Sequence, residues 1–174
     1  MILPWRKISE RADGVGRRKM LRQVWELPNG TQSEYVVLDG GRPCCVLAMT
    51  TDQQVILVKQ FRPGPDEIIL ELPGGYPEEG ESMEAAMARE LLEETGYTGE
   101  LLQIGEHIES AYDTRRTQDF VATNCRKVAE PNPDDNEFLE VVLMDLKDFR
   151  KHLQSGMLSD VETGYLGLDH LGLL

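Results

Sequence analysis

Residues 75–97 read GYPEEGESMEAAMARELLEETGY, and the spacing inside this stretch decides how the chain is organised. From Ser82 to Thr95 it is rich in Ala, Glu, Leu and Met with no internal Gly or Pro, which predicts a helix, and Gly96 supplies its stop. At about 100° per residue, Glu90, Glu93 and Glu94 fall within roughly 100° of one another on one face. Ala85, Ala88, Leu91 and Leu92 gather on the opposite side, which is expected to pack into a core. Three carboxylates at i, i+3 and i+4 repel one another unless a cation neutralises them. Oxygen-only ligands on such a ridge suit a hard divalent ion, Mg²⁺ or Mn²⁺ rather than Zn²⁺. A lone Glu-Glu pair on a helix would mean only a solvated face.

The wider spacing argues for more than solvation. Gly75 is followed after five residues by Glu81, and after seven more by Arg89-Glu90-Leu91-Leu92-Glu93-Glu94-Thr95-Gly96-Tyr97. This pattern resembles the Nudix box, the signature of enzymes that hydrolyse nucleoside diphosphates linked to another group, with Tyr97 standing where an aliphatic residue is usual. The resemblance implies that Glu90, Glu93 and Glu94 hold metal and that Arg89 orients them. Pro73-Gly74-Gly75 reads by itself as a tight strand-to-loop turn; the resemblance adds the Gly74 carbonyl as a further metal ligand. Tyr76 has two readings, contact with a sugar or phosphate and aromatic packing.

A chain of 174 residues fits one domain with a real core. Its formal charge of −13, spread along most of the sequence, argues against a nucleic-acid partner, which would need a basic stripe. An anionic nucleotide remains compatible where metal ions cancel the local field. Cys44, Cys45 and Cys125 have no zinc-like spacing and read as small buried residues. His107, His152 and His170 match no ligand pattern. No secretory signal, apolar span of membrane length or lipidation motif is read, so no membrane partner and a cytoplasmic location are expected.

Along the chain, strands are expected at 18–27 and 34–38 around an Asn29-Gly30 turn, at 43–49, 55–61 and 68–72 before the glycine turn, and near 101–108, 118–122 and 138–144. Helices are expected at about 146–154 and 160–171. Strands bracketing one central helix, with helices at the end, predict a mixed α/β (α+β) sandwich. The Nudix resemblance specifies a mixed sheet between helices, preceded by an N-terminal antiparallel β extension. It assigns residues 1–42 to that extension and 43–174 to the hydrolase domain. The run from QFRPG at 60–64 to EFLEVVLM at 137–144 is similar to the ADP-ribose pyrophosphatase branch, which implies that the extension builds a homodimer and contributes to the partner's nucleotide pocket.

Outside the box, Asp134-Asp135-Asn136-Glu137 is an acidic cluster in a proline-containing loop, which composition alone would read as a solvated turn. The resemblance implies a further metal ligand here, assigned to Glu137, and sometimes the general base, for which Asp135 and Glu93 compete. Arg62 reads either as a surface charge or, by resemblance, as the arginine that holds a substrate phosphate. Arg115 and Arg116 engage a phosphate or terminal sugar, or form a solvated basic turn. ADP-ribose hydrolases commonly carry a proline about this far beyond the box, and none stands between residues 98 and 130. Trp5 and Trp25 read as core or interface residues, with stacking on a base as the alternative.

The expected function is Mg²⁺-dependent hydrolysis of a nucleoside diphosphate sugar, with ADP-ribose leading, yielding AMP and ribose 5-phosphate. Mn²⁺ is the alternative ion. Within enzymes, the rivals are another nucleotide sugar, a dinucleotide or a modified nucleoside triphosphate. A binding module without turnover is the rival of another class; it would be expected to have lost box glutamates, and all are intact.

Overall fold

The computed structural model describes residues 3–15, 18–134 and 136–174. These form two compact units. The first comprises residues up to Arg42 together with Ile108–Arg116. It contains an antiparallel sheet of β1 (Arg6–Val15), β2 (Arg18–Glu26) and β3 (Gln32–Asp39) in that order. The β2–β3 turn closes on Asn29, whose side-chain oxygen accepts the Thr31 N–H and hydroxyl, and on Gly30 at φ 79°. Strand β1 is an addition to the expected elements. Its sequence, RKISERADGV, shows no hydrophobic alternation because charged side chains crowd it, and its pairing is set by β2. Several of those charges meet partners on the sheet surface, as in the Arg6–Glu26 and Arg22–Asp13 pairs, and Arg22 also pairs with Glu34 of β3.

The second unit, Pro43–His107 and Thr117–Leu174, is built on a seven-stranded mixed sheet. Its main path runs β10 (Leu139–Asp145), β5 (Gln54–Arg62), β4 (Cys44–Thr50), β9 (Arg116–Lys127), β8 (Tyr97–Ile108). Strand β6 (Glu67–Glu71) pairs with β5, and the two-residue β7 (Gly74–Gly75) pairs with β4. Strand β4 runs antiparallel to β5 and parallel to β9.

Alternation along β4 divides the core between the two faces of the sheet. Cys44, Val46 and Ala48 join Ile56, Phe120 and Ala122 against Ala86, Met87 and Leu91 of α1 (Met83–Thr95). Cys45, Leu47 and Met49 join Val55, Leu57 and Val121 against α2 (Leu146–Ser155) and α3 (Val161–His170), through Phe149, Leu153 and Leu168. Complete burial of side chains such as Leu47, Ile56, Leu57 and Phe120 contributes about 1.5–3 kcal/mol each, an upper range for this kind of accounting. The expected architecture, a mixed sheet between helices with an antiparallel N-terminal sheet, is therefore observed. All three cysteines are buried and free. Among the described residues, no helix is long and apolar enough to cross a membrane.

One expectation about α1 is corrected. Of Ala85, Ala88, Leu91 and Leu92, only Leu91 is buried. The buried stripe is Ala86, Met87, Leu91, Glu94 and Thr95, with Met83 packed beside it and the Glu90 side chain only 15% exposed. Met83, Ala86, Met87, Glu90, Leu91 and Glu94 follow the i, i+3, i+4, i+7, i+8, i+11 pattern of a single helix face. Glu90 and Glu94 thus continue the core stripe rather than oppose it.

Candidate active site

The site begins where that apolar stripe turns acidic. Ser82 caps α1 by accepting the Ala85 N–H at 3.2 Å, and Gly96 ends it at φ 75° while donating to the Leu92 carbonyl. The helix end also ties down a later stretch of chain. Gly96 accepts from the N–H groups of Val128 and Ala129, and the Glu93 carbonyl accepts from Asn132 at 2.7 Å. The segment leading to Glu137 is thereby anchored to the glutamate end of the helix.

The glycine loop lies directly on the carboxylates. Gly74 pairs with Cys45 and Gly75 with Cys44, so the expected turn continues as a short strand against β4. Gly74 donates its N–H to Glu94 Oε2 at 3.0 Å. A Cβ on Gly75 would collide with the Glu90 carboxylate, and one on Gly74 would stand 2.5 Å from the Cys44 carbonyl oxygen. Only glycine permits this approach at both positions.

Arg89 links three of the glutamates. Its Nε and Nη2 grip the two Glu81 oxygens, both at 3.1 Å, while Nη1 donates to Glu90 at 3.0 Å and Glu93 at 2.9 Å. Nη2 also donates to the Tyr76 carbonyl at 3.0 Å. Hydrogen bonding to Glu81 is the largest influence on Arg89 and raises its pKa, which burial opposes. The Tyr76 ring is exposed.

Glu94 has a different environment. It is 5% exposed, and burial pushes its carboxyl up to about 8; the Gly74 N–H opposes this, while the charges of Glu90, Glu137 and Glu71 add to it. Burial also raises Glu90, against the opposing charge of Arg89. Glu137 is exposed, exchanging hydrogen bonds with Asp134 (its own N–H to the Asp134 carbonyl, the Asp134 N–H to its carboxylate), yet its charge reaches both Glu90 and Glu94. Asp135 lies outside the described residues.

The structure therefore brings together Gly74, Arg89, Glu90, Glu93, Glu94 and Glu137, with Tyr76 reaching them through its carbonyl. Arg62 belongs to the same unit, and its guanidinium feels Glu94. Glu71, a carboxylate to which the sequence pattern gives no role, is also here. The one available signal was a charged residue inside the apolar run Ile68-Ile69-Leu70-Glu71-Leu72. Glu81, a box residue with no expected role of its own, proves to be the principal partner of Arg89.

Arg115 and Arg116 belong to the first unit. Arg115 is held by Asp113 through Nε at 2.8 Å and Nη2 at 2.6 Å, and its stem packs against Gly40. Arg116 is exposed at the start of β9. In that unit Trp5, Gln23, Trp25, Tyr35, Val37, Ala111 and Tyr112 line an open cleft of about 440 Å³. Tyr35 lies 5.5 Å from Trp5 and stacks on Tyr112 at 6.2 Å, measured between ring centroids.

The chemistry of the donor set fits a hard divalent cation: carboxylates at Glu90, Glu93, Glu94 and Glu137, plus a backbone carbonyl. Glu94 supports this, because a carboxyl raised chiefly by burial, and further by its acidic neighbours, becomes an anion at neutral pH once a cation joins it. Among the described residues, no three acidic or histidine side chains already converge on one point. Arg89 engages Glu90 and Glu93, and Glu137 engages Asp134.

Comparison with known proteins identifies the family. The NUDIX domain pattern matches residues 41–160. The ADP-ribose pyrophosphatase of Bacillus subtilis (strain 168) is 36% identical over 146 residues, covering 80% of this chain and 77% of that protein. The ADP-sugar pyrophosphatase of Mus musculus is 35% identical over 143 residues, covering 76% of this chain and 65% of that protein. A crystal structure of an ADP compounds hydrolase matches with a TM-score of 0.80 over 100% of this chain and 99% of its own, at 18% identity, a likeness of fold. With the box residues clustered as described and the family pattern spanning most of the chain, this protein belongs to the Nudix family.

Proposed function

We propose that the protein is a Mg²⁺-dependent hydrolase of nucleoside diphosphate sugars, with ADP-ribose as substrate and AMP and ribose 5-phosphate as products. The observation that carries this reading is the Glu94 carboxyl, buried at the end of the box helix and hydrogen-bonded to the loop glycine Gly74. A buried carboxyl next to other acids costs stability, and an ion-dependent reaction gives a reason for keeping it. Similarity to ADP-ribose and ADP-sugar pyrophosphatases over three-quarters or more of the chain supports the substrate class.

In this reading Glu90, Glu94, Glu137 and the Gly74 carbonyl hold the ion, with Glu93 as a further ligand. A bound divalent ion offsets the charge of the diphosphate and acidifies a water molecule. Arg89 keeps Glu90 and Glu93 in place. Arg62 binds a phosphate oxygen, and Tyr76 contacts the sugar or a phosphate. Glu93 or Asp135 accepts the proton as water adds across the P–O–P linkage; one phosphate takes the hydroxyl and the other leaves with the bridging oxygen. Each product then carries one phosphate.

The same reading makes residues 1–42 a dimerising β extension to a hydrolase domain over 43–174, and the assembly a cytoplasmic homodimer. Exposed Ile8, Met20, Val36 and Leu38 on the N-terminal sheet supply apolar surface for such contact, and three free buried thiols suit a reducing compartment.

The test is product identification after incubating the purified protein with Mg²⁺, and separately Mn²⁺, and ADP-ribose, other nucleotide sugars, dinucleotides or nucleoside triphosphates. Preferential release of AMP from ADP-ribose is expected. Preference for another compound would reassign the substrate, and tight nucleotide binding without turnover would favour a binding module.

A further inference from the structure

Glu71 ends β6 with only 6% of its surface exposed. Its carboxylate accepts from Gln60 Nε2 at 2.7 Å, from Arg62 Nε at 2.8 and 3.0 Å, and from Arg62 Nη2 at 2.7 Å. The register explains the meeting. Glu71 lies opposite Val58, and the side chains two and four residues further along β5, Gln60 and Arg62, project to the same face. That face starts at Ile56, packed in the core beneath α1, and becomes polar towards the glutamates. Arg62 feels the charge of Glu94, and Glu94 that of Glu71. Strand β10 begins at Leu139 opposite Gln60, so the chain enters it from Glu137 at the Arg62 end of β5.

We infer that Glu71 is a positioning residue for a substrate phosphate, acting through Arg62. This rests on the reading of the chain as a diphosphate hydrolase in which Arg62 holds a phosphate. Glu71 takes the Nε and Nη2 edge of the guanidinium and so turns the opposite edge, with Nη1 and the second Nη2 hydrogen, outward. The arginine side chain remains 45% exposed while its partner carboxylate is 8% exposed, so the pair is sealed on the Glu71 side and open on the other. Gln60 supports the arrangement from below by satisfying a Glu71 oxygen that also faces Arg62. The long arginine side chain is ordered on folding rather than on binding, which is the benefit of a preorganised site. Since the pair carries no net charge, it recognises an oxyanion through directed N–H groups.

The test compares wild type, Glu71→Gln, Arg62→Ala and the double variant, with all melting midpoints measured. Affinity for inorganic pyrophosphate is read by calorimetry, and KM and kcat are read with ADP-ribose and Mg²⁺. Each single change should weaken pyrophosphate binding about tenfold and raise KM similarly, with kcat within about threefold, and the double variant should be no worse than Arg62→Ala. A double loss near the product of the single losses would overturn the inference, as would wild-type affinity in Glu71→Gln or no pyrophosphate binding by wild type. Should Glu71→Gln fail to fold, Arg62→Lys decides. It keeps the charge without the planar fork, so about tenfold weaker binding supports the inference and wild-type binding contradicts it. Absence of ADP-ribose turnover by wild type would count against the proposed substrate, while the pyrophosphate comparison would still decide the role of Glu71.

Discussion

The N-terminal sheet and the box helix both carry many charges, and they hold them in opposite ways. On β1 to β3, Arg6–Glu26, Lys7–Glu10 and Arg22 with Asp13 and Glu34 pair on the surface, where water already solvates each partner. Around α1, Glu71 and Glu94 are almost wholly buried and Glu90 partly so, with Arg89 and Arg62 as the cations at hand. Surface pairs can be lost at little cost. Buried carboxylates reduce stability unless something compensates them, and the proposed function rests on that difference.

The largest effect is expected from Glu94→Gln, an isosteric change that removes the ionisable carboxyl. It should lower kcat for ADP-ribose by about 10³-fold or more with an unchanged circular dichroism spectrum. Retained turnover in the metal-saturated variant would make Glu94 no different from a surface acid.

A pH series sharpens the same point without substrate. The Glu94 carboxyl titrates near 8 in the folded metal-free protein, above the ordinary 4.5, so between those values the folded state holds a proton that the unfolded chain has released. Its contribution to stability is therefore complete below about pH 4.5 and declines as pH rises through 8. The change should be on the order of a few kcal/mol in chemical denaturation. Glu94→Gln should flatten this part of the profile, and saturating Mg²⁺ should restore stability at the alkaline end.

Gly74→Ala places a methyl group 2.5 Å from the Cys44 carbonyl oxygen and 3.1 Å from the Cys45 Cα, both backbone atoms of a buried strand. It should destabilise by about 1–3 kcal/mol in urea denaturation. At the other extreme, Arg22→Ala removes two surface pairs and should leave both the melting midpoint and kcat unchanged within error. A large loss there would place the N-terminal charges in the same class as those of the box.

How much of the molecule is legible in the sequence depends on how local each signal is. The limits of α1 are legible because Ser82, Gly96 and the intervening helix formers act within a turn of themselves. The mixed sheet is legible from apolar runs such as Cys44–Met49 and Val55–Val58. The buried face of α1 departs from expectation because Glu90 and Glu94 lie on the core side, and a polar end of the core stripe depends on β7 lying over it. Strand β1 escapes notice because its pattern is charged and its pairing comes from β2. The Glu71–Arg62 contact and the Asp113 grip on Arg115 depend on strand register and turn geometry, which residue spacing does not display.

Binding of Mn²⁺, followed by electron paramagnetic resonance in wild type and Glu94→Gln without substrate, asks whether the buried carboxyl holds an ion. Wild type should take up Mn²⁺, and the variant, equally folded, should bind it at least about tenfold more weakly. Equal affinity in the two proteins would contradict the assignment of the buried carboxylate to an ion-dependent hydrolytic site.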